Sequence, residues 1–179
     1  MSFPELQQLF AVVDALDHWA RTTVRGHVDV DGQLVPLLDV TLGSSEPSAP
    51  TLALVGGVHG LERIGAQVVL AELESLAARL VWDRTLQREL QHVRVATFPI
   101  VNPWGMLHAT RSNARGVDLM RNAPPVDEQL RATPLLGGQR LSPHLPWFAG
   151  SSRPGKMEPE AQALVAFVHE HVFPASCAV

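Results

Sequence analysis

The sequence predicts an α/β fold, a mixed sheet flanked by helices. Three observations carry that expectation. Apolar runs of strand length alternate along the chain with segments whose apolar residues recur at helical spacing. One such run, Thr51–Val55, passes directly into Gly56-Gly57, a strand-to-turn junction where α/β sheets commonly bind ligands. The 179 residues are 46% hydrophobic and 18% charged, enough to bury one sizeable core in a single domain spanning 1–179.

Each element has its own signal. Residues Glu5 to Arg21 carry Leu6, Leu9, Phe10, Val13, Leu16 and Ala20 at near-helical spacing, with Pro4 suited to a first turn. His27 to Leu42 alternates as a strand pair about Asp31-Gly32, a favoured hairpin turn. The Ser/Pro-rich stretch Ser44 to Pro50 reads as a loop, and Thr51–Val55 as a buried strand. Glu62 to Leu80 has Ile64, Val68, Val69, Leu73, Leu76 and Leu80 at helical positions. His92 to Ile100 is a further strand, stopped by Asn102-Pro103 and Gly105. Ser112 to Asn122 is polar and irregular, and a Pro/Gly-rich loop follows over about 123–158. Glu160 to Val172 reads as a helix, and Ala175–Val179 as the start of another strand.

Composition excludes several classes. A net charge of -4 leaves no broad basic footprint for nucleic acid or anionic membrane. The single cysteine, Cys177, permits neither an internal disulfide framework nor a multi-cysteine metal site, and it reads as a structural thiol. The start Met1-Ser2-Phe3-Pro4-Glu5 lacks a signal-peptide pattern, and no run is long enough for a membrane helix. A cytoplasmic protein is the expectation.

The sharpest local motif is Gly56-Gly57-Val58-His59-Gly60-Leu61-Glu62. His59 and Glu62, three apart across a tight turn, can aim an imidazole nitrogen and a carboxylate oxygen at one ion. Zinc accepts both, at about 2.0–2.2 Å. The alternative is that Glu62 serves the start of the following helix while His59 is an ordinary loop residue.

Downstream stand Asn102-Pro103-Trp104-Gly105, Thr110-Arg111-Ser112-Asn113 and Gly116-Val117-Asp118-Leu119-Met120-Arg121-Asn122. In this order, over about residues 50–122, the motifs resemble the zinc carboxypeptidase superfamily. Related deacylases of the aspartoacylase and succinylglutamate desuccinylase type share much of the pattern. The resemblance implies Zn2+ held by His59 and Glu62. It implies an oxyanion-facing Arg111, and a substrate carboxylate bound by Arg121 with help from Asn113. The guanidinium fork of Arg121 suits a planar carboxylate. Asp118 would orient the loop or a ligand imidazole; an Asp118–Arg121 surface ion pair is the alternative. The implied substrate is a peptide, or an acyl-amino acid, with a free carboxylate. The implied reaction is hydrolysis of a C-terminal peptide bond by metal-activated water. The other readings are a metal-dependent N-acyl-amino-acid deacylase and a non-catalytic carboxylate-binding relative.

The sequence also departs from the family pattern. Met120 stands where the family run has a carboxylate-binding asparagine, and a thioether donates no hydrogen bond. Leu61 and Arg63 flank the motif differently, so substrate preferences do not carry over. The third zinc ligand and the catalytic glutamate have no convincing counterpart. His169 and His171 are two apart on a predicted helix and do not share a face. His108 reads as a loop residue, and His18, His27, His92 and His144 as surface or edge residues. The resemblance therefore implies an N-terminal portion that ends before the later strands, weakly active or inactive alone.

Overall fold

The computed structural model describes residues 3–123, 148, 150 and 157–172. Its centre is β2 (Gln33–Gly43), buried without a break from Leu37 to Leu42, as a strand covered on both faces must be. β1 (Ala20–Val30) pairs with it antiparallel through the Asp31-Gly32 turn. Both turn residues have positive φ, 53° and 84°, the backbone a tight two-residue hairpin requires. β4 (Arg94–Phe98) pairs antiparallel with β2 and parallel with β3 (Thr51–Val55), giving the order β1-β2-β4-β3.

The parallel β3–β4 pair is bridged by α2 (Arg63–Leu80) and the short α3 (Arg84–Glu89). α1 (Pro4–Ala15) lies against α2; Arg63 ties the two together by donating to Glu5 Oε2 at 2.7 Å. α5 (Pro159–His171) packs on β1, β2 and β4, with the Phe167 and Phe98 rings 5.7 Å apart. Two short elements, α4 (Pro103–His108) and a 3₁₀ turn (Leu119–Arg121), carry the chain past the ends of β3 and β4.

The mixed sheet flanked by helices is as expected, but several boundaries and faces differ. The first helix stops at Ala15, and β1 begins at Ala20, where the ladder to Leu42 captures the chain. Among the described residues β3 is an edge strand: Leu52 is 54% exposed and Val55 37%, so its apolar run does not mean two covered faces. On α2 the buried stripe is Ala66, Val69, Leu70, Leu73, Leu76 and Leu80, whereas Ile64 and Val68 face outward. α3 and α4 are too short to show a period in sequence. The proline-rich loop, apart from a few residues, lies outside the described residues, as do His144, Cys177 and the expected final strand. Among the described residues no helix is long and apolar enough to cross a membrane.

Candidate metal centre and substrate clamp

Backbone sterics shape the loop after β3. A Cβ on Gly56 would meet Pro99 O at 2.7 Å and Ala66 Cα at 2.8 Å, so only glycine lets the loop pass between α2 and the end of β4. Gly60 lies directly on the Gly105 backbone, where any side chain would overlap it. The Asn-Pro-x-Gly turn grips this loop from the other side. Asn102 N donates to Gly57 O at 2.8 Å, and its side-chain amide donates to Val58 O at 3.4 Å. Its Oδ1 accepts from Gly105 N at 2.9 Å, capping α4. Leu61 N donates to Thr110 O at 3.0 Å, joining the segment that leads into Arg111.

Held in this way, His59 is nearly buried, and its two ring nitrogens have different neighbours. Nε2 lies 3.1 Å from Asp118 Oδ1. Nδ1 lies 3.2 Å from Glu62 Oε1. Because Asp118 is a carboxylate acceptor, the proton of a neutral imidazole belongs on Nε2, which leaves the Nδ1 lone pair beside Glu62. That separation is compatible with both atoms contacting one ion at about 2.0–2.2 Å. The donor set, one imidazole and one carboxylate, suits zinc, so the residues present fit two of its ligand positions. Among the described residues, no group of three metal-binding side chains forms. His171 is buried against Phe167 and Arg25, and with His169 it lines a different cavity. Neither histidine reaches the His59–Glu62 pair.

Asp118 is the hub. It is 1% exposed, receives a hydrogen bond from Arg111 Nε at 2.9 Å, and lies 3.4 Å from Arg121 Nε. Burial by itself would raise its carboxyl, but the hydrogen bonds and charges of Arg111 and His59 outweigh that and hold it below the ordinary carboxylate value. Arg111 also reaches Glu62 Oε1 through Nη1 at 3.1 Å, so it spans both carboxylates. His59, Arg111 and Arg121 thus converge on the Asp118 carboxylate, and Glu62 joins them through His59 and Arg111. Beside His59 and Glu62 opens a cavity of about 330 Å³ lined also by Val55, Ile64 and Met120.

Asn113 is not part of that convergence. It is buried, its amide nitrogen donates to Glu158 Oε2 at 2.9 Å and approaches Glu160 at 3.3 Å. Its Oδ1 accepts from the Arg115 and Val117 backbone, folding the 113–117 turn. The two acids behind it, Glu158 and Glu160, are both buried, which sequence reading missed. Pro159 marks a helix start, where acids are ordinarily exposed, so nothing in the sequence separates them from a solvated first turn. Burial, reinforced by neighbouring Glu158, pushes the Glu160 carboxyl up. Arg63 is engaged with Glu5 and the Met106 carbonyl, which makes it structural.

The sheet and the loop at its end have the form of a zinc carboxypeptidase. The zinc carboxypeptidase family model matches residues 27–178, and the chain belongs to that family. It is 29% identical over 144 residues to the Homo sapiens carboxypeptidase N catalytic chain, covering 73% of this chain and 31% of that protein. With Homo sapiens carboxypeptidase Z it shares 27% identity over 171 residues, 84% of this chain and 25% of that protein. The chain therefore spans less than a third of these relatives. Among solved structures, carboxypeptidase A from Helicoverpa armigera superposes with a TM-score of 0.67 at 19% identity, over 93% of this chain and 40% of that one. A Burkholderia cenocepacia metallo-carboxypeptidase gives 0.61 at 20% identity, over 91% and 36%. These likenesses are of fold.

Proposed function

We propose that this chain carries the metal-anchoring and carboxylate-binding portion of a zinc carboxypeptidase-type hydrolase acting on peptides with a free C-terminus. The observation that carries the reading is the divided environment of His59, with Asp118 on Nε2 and Glu62 beside Nδ1. In this reading His59 and Glu62 hold zinc, which supplies Lewis-acid polarisation and an acidified water. Asp118 keeps the His59 ring turned and in one tautomer. Arg111 offers a fixed positive group to the oxygen of the scissile carbonyl, a contribution of about 3–4 kcal/mol where such donors are preorganised. Arg121 takes the substrate carboxylate in a bidentate fork. Asn113 acts as a positioning residue, folding the turn that precedes Asp118. Met120 beside the cavity offers an apolar contact in place of a donor.

Among the described residues, two protein ligands fall short of the three that catalytic zinc usually has. The expected behaviour of the 179-residue chain is therefore weak zinc binding with little or no turnover. Zinc titration against a chromogenic chelator tests the assignment, using wild type, His59→Ala and Glu62→Gln. Loss of the weak binding in either variant is expected; unchanged binding in both would overturn it. Micromolar or tighter binding with robust peptidase activity would instead refute the two-ligand description. For the clamp, Arg121→Ala should weaken binding of a free C-terminal peptide but not of its amidated form.

A further inference from the structure

A larger cavity, about 850 Å³, lies at the opposite end of the sheet. The His59 loop follows the end of β3, whereas this cavity takes in Arg94, the first residue of β4, which pairs with the first residue of β3. A strand of five residues separates the two ends by on the order of 15 Å. Around the cavity stand Trp19, Arg21, Thr41, Arg94, Glu170 and His171. We propose that it binds a small organic anion, a carboxylate or phosphate ester carrying a compact apolar group.

Arg25 is the residue left over by the bulge between Val24 and Gly26 of β1, and it turns inward to pair with Asp39 and Glu170. Its guanidinium also lies 3.3 Å from His171 Nε2, and a guanidinium can only donate. His171 Nε2 is therefore the acceptor, and the ring proton sits on Nδ1. Burial depresses the basicity of this imidazole, in keeping with a neutral ring. Among the described residues, Nδ1–H of His171 and the Thr41 hydroxyl are both buried without a hydrogen-bond partner. Buried donors of this kind are destabilising unless something accepts from them. Asp39 Oδ1 is likewise an unpartnered acceptor among the described residues, but Asp39 does not line the cavity.

Glu170 is neutralised by Arg21 at 2.8 Å and Arg25 at 2.7 Å. Arg94 donates to the Ser44 and Glu46 carbonyls and, among the described residues, has no carboxylate partner. Setting Arg21, Arg25 and Arg94 against Asp39 and Glu170 leaves one positive charge over. Trp19, 43% exposed, and Pro47 supply an apolar wall. Unmatched donors, surplus positive charge and a flat apolar wall together select an acceptor-rich anion with an apolar body.

The test is calorimetric titration of the zinc-free 179-residue chain with benzoate, phenyl phosphate and inorganic phosphate. Saturable binding of benzoate or phenyl phosphate, tighter than that of inorganic phosphate, is expected, and the stronger of the two identifies the head group. Thr41→Val should weaken it about fivefold or more, while Thr41→Ser holds it within about twofold. Arg21→Gln, a change at the exposed rim, should weaken it independently of any change in the cavity floor. No saturable binding of any probe would overturn the proposal, as would affinities unchanged in both Thr41→Val and Arg21→Gln. Inorganic phosphate binding as tightly as phenyl phosphate would remove the apolar-group specificity. Because no metal is present, none of these outcomes bears on the His59–Glu62 assignment.

Discussion

Asp118 stands between a histidine and two arginines, so its loss touches every part of the candidate site. In Asp118→Asn the side chain keeps its shape but loses the charge that Arg111 and His59 face. A cost of about 1.5–3 kcal/mol is expected, the worth of hydrogen bonds to a buried charged group. Acid makes the same point. With its carboxyl held below the ordinary 3.8, Asp118 contributes stability that is complete above that value and is lost as pH falls through the lower folded value. Acid unfolding of Asp118→Asn, followed by circular dichroism, should lack this contribution to the slope. Glu160 has the opposite sign. Its carboxyl is raised above 4.5, so stability falls as pH climbs from there through the folded value. Glu160→Gln should raise Tm near neutral pH by about 2–4 °C, and the gain should shrink below pH 4.5. His59, Glu62, Arg111 and Arg121 could be nominated from the sequence because the proposed chemistry requires those residue types in that order. For Asn113 the residue type alone leaves two roles open. An asparagine that folds a turn and one that binds substrate look alike until its partners, Glu158 and Glu160, are located.

At the level of elements, the metal loop owes its shape to a neighbour more than to itself. Asn102 is fully buried, caps α4, and holds Gly57 and Val58 through backbone and side chain. Asn102→Ala should cost about 1–2 kcal/mol in urea unfolding. It should also weaken zinc binding by the chain, although Asn102 touches no proposed ligand. The sequence announced Asn102-Pro103 only as the end of a strand, because a cap followed by six helical residues has no periodicity to detect. The Asp31-Gly32 hairpin was legible from two residues, since few others accept positive φ at both positions. The early start of β1 was not. Trp19-Ala20-Arg21 continues a helical pattern, and only pairing with β2 decides against it. β3 misled for a related reason: an apolar run reports burial capacity, and its actual burial depends on what lies beside it.

On the scale of the whole molecule, the sheet ends on β3 among the described residues, and the adjoining surface is apolar. Leu52 and Val55 on the strand are joined by Ile64 and Val68 on α2, 70% and 60% exposed. An edge strand beside an apolar strip is a template for association. The 179-residue chain should self-associate with rising concentration in sedimentation velocity, and the double variant Ile64→Asp, Val68→Lys should shift it toward monomer without lowering Tm. The α/β class was legible because strand and helix periods alternate along the chain. Which edge stays open was not, because that depends on strand order and not on local pattern.

The strand order also sets a sequence of events in time. The β1–β2 hairpin joins residues that are neighbours along the chain, and it can close within microseconds. The parallel β3–β4 pair must wait for Thr51 to meet Arg94 across α2 and α3. The His59 loop hangs from the end of that late pair, with α4 and Asp118 later still in the chain. Folding thus leaves the His59–Glu62 turn without its Asn102 and Asp118 supports until most of the core has formed, so a metal added during refolding should change the rate of the last phase and not the first.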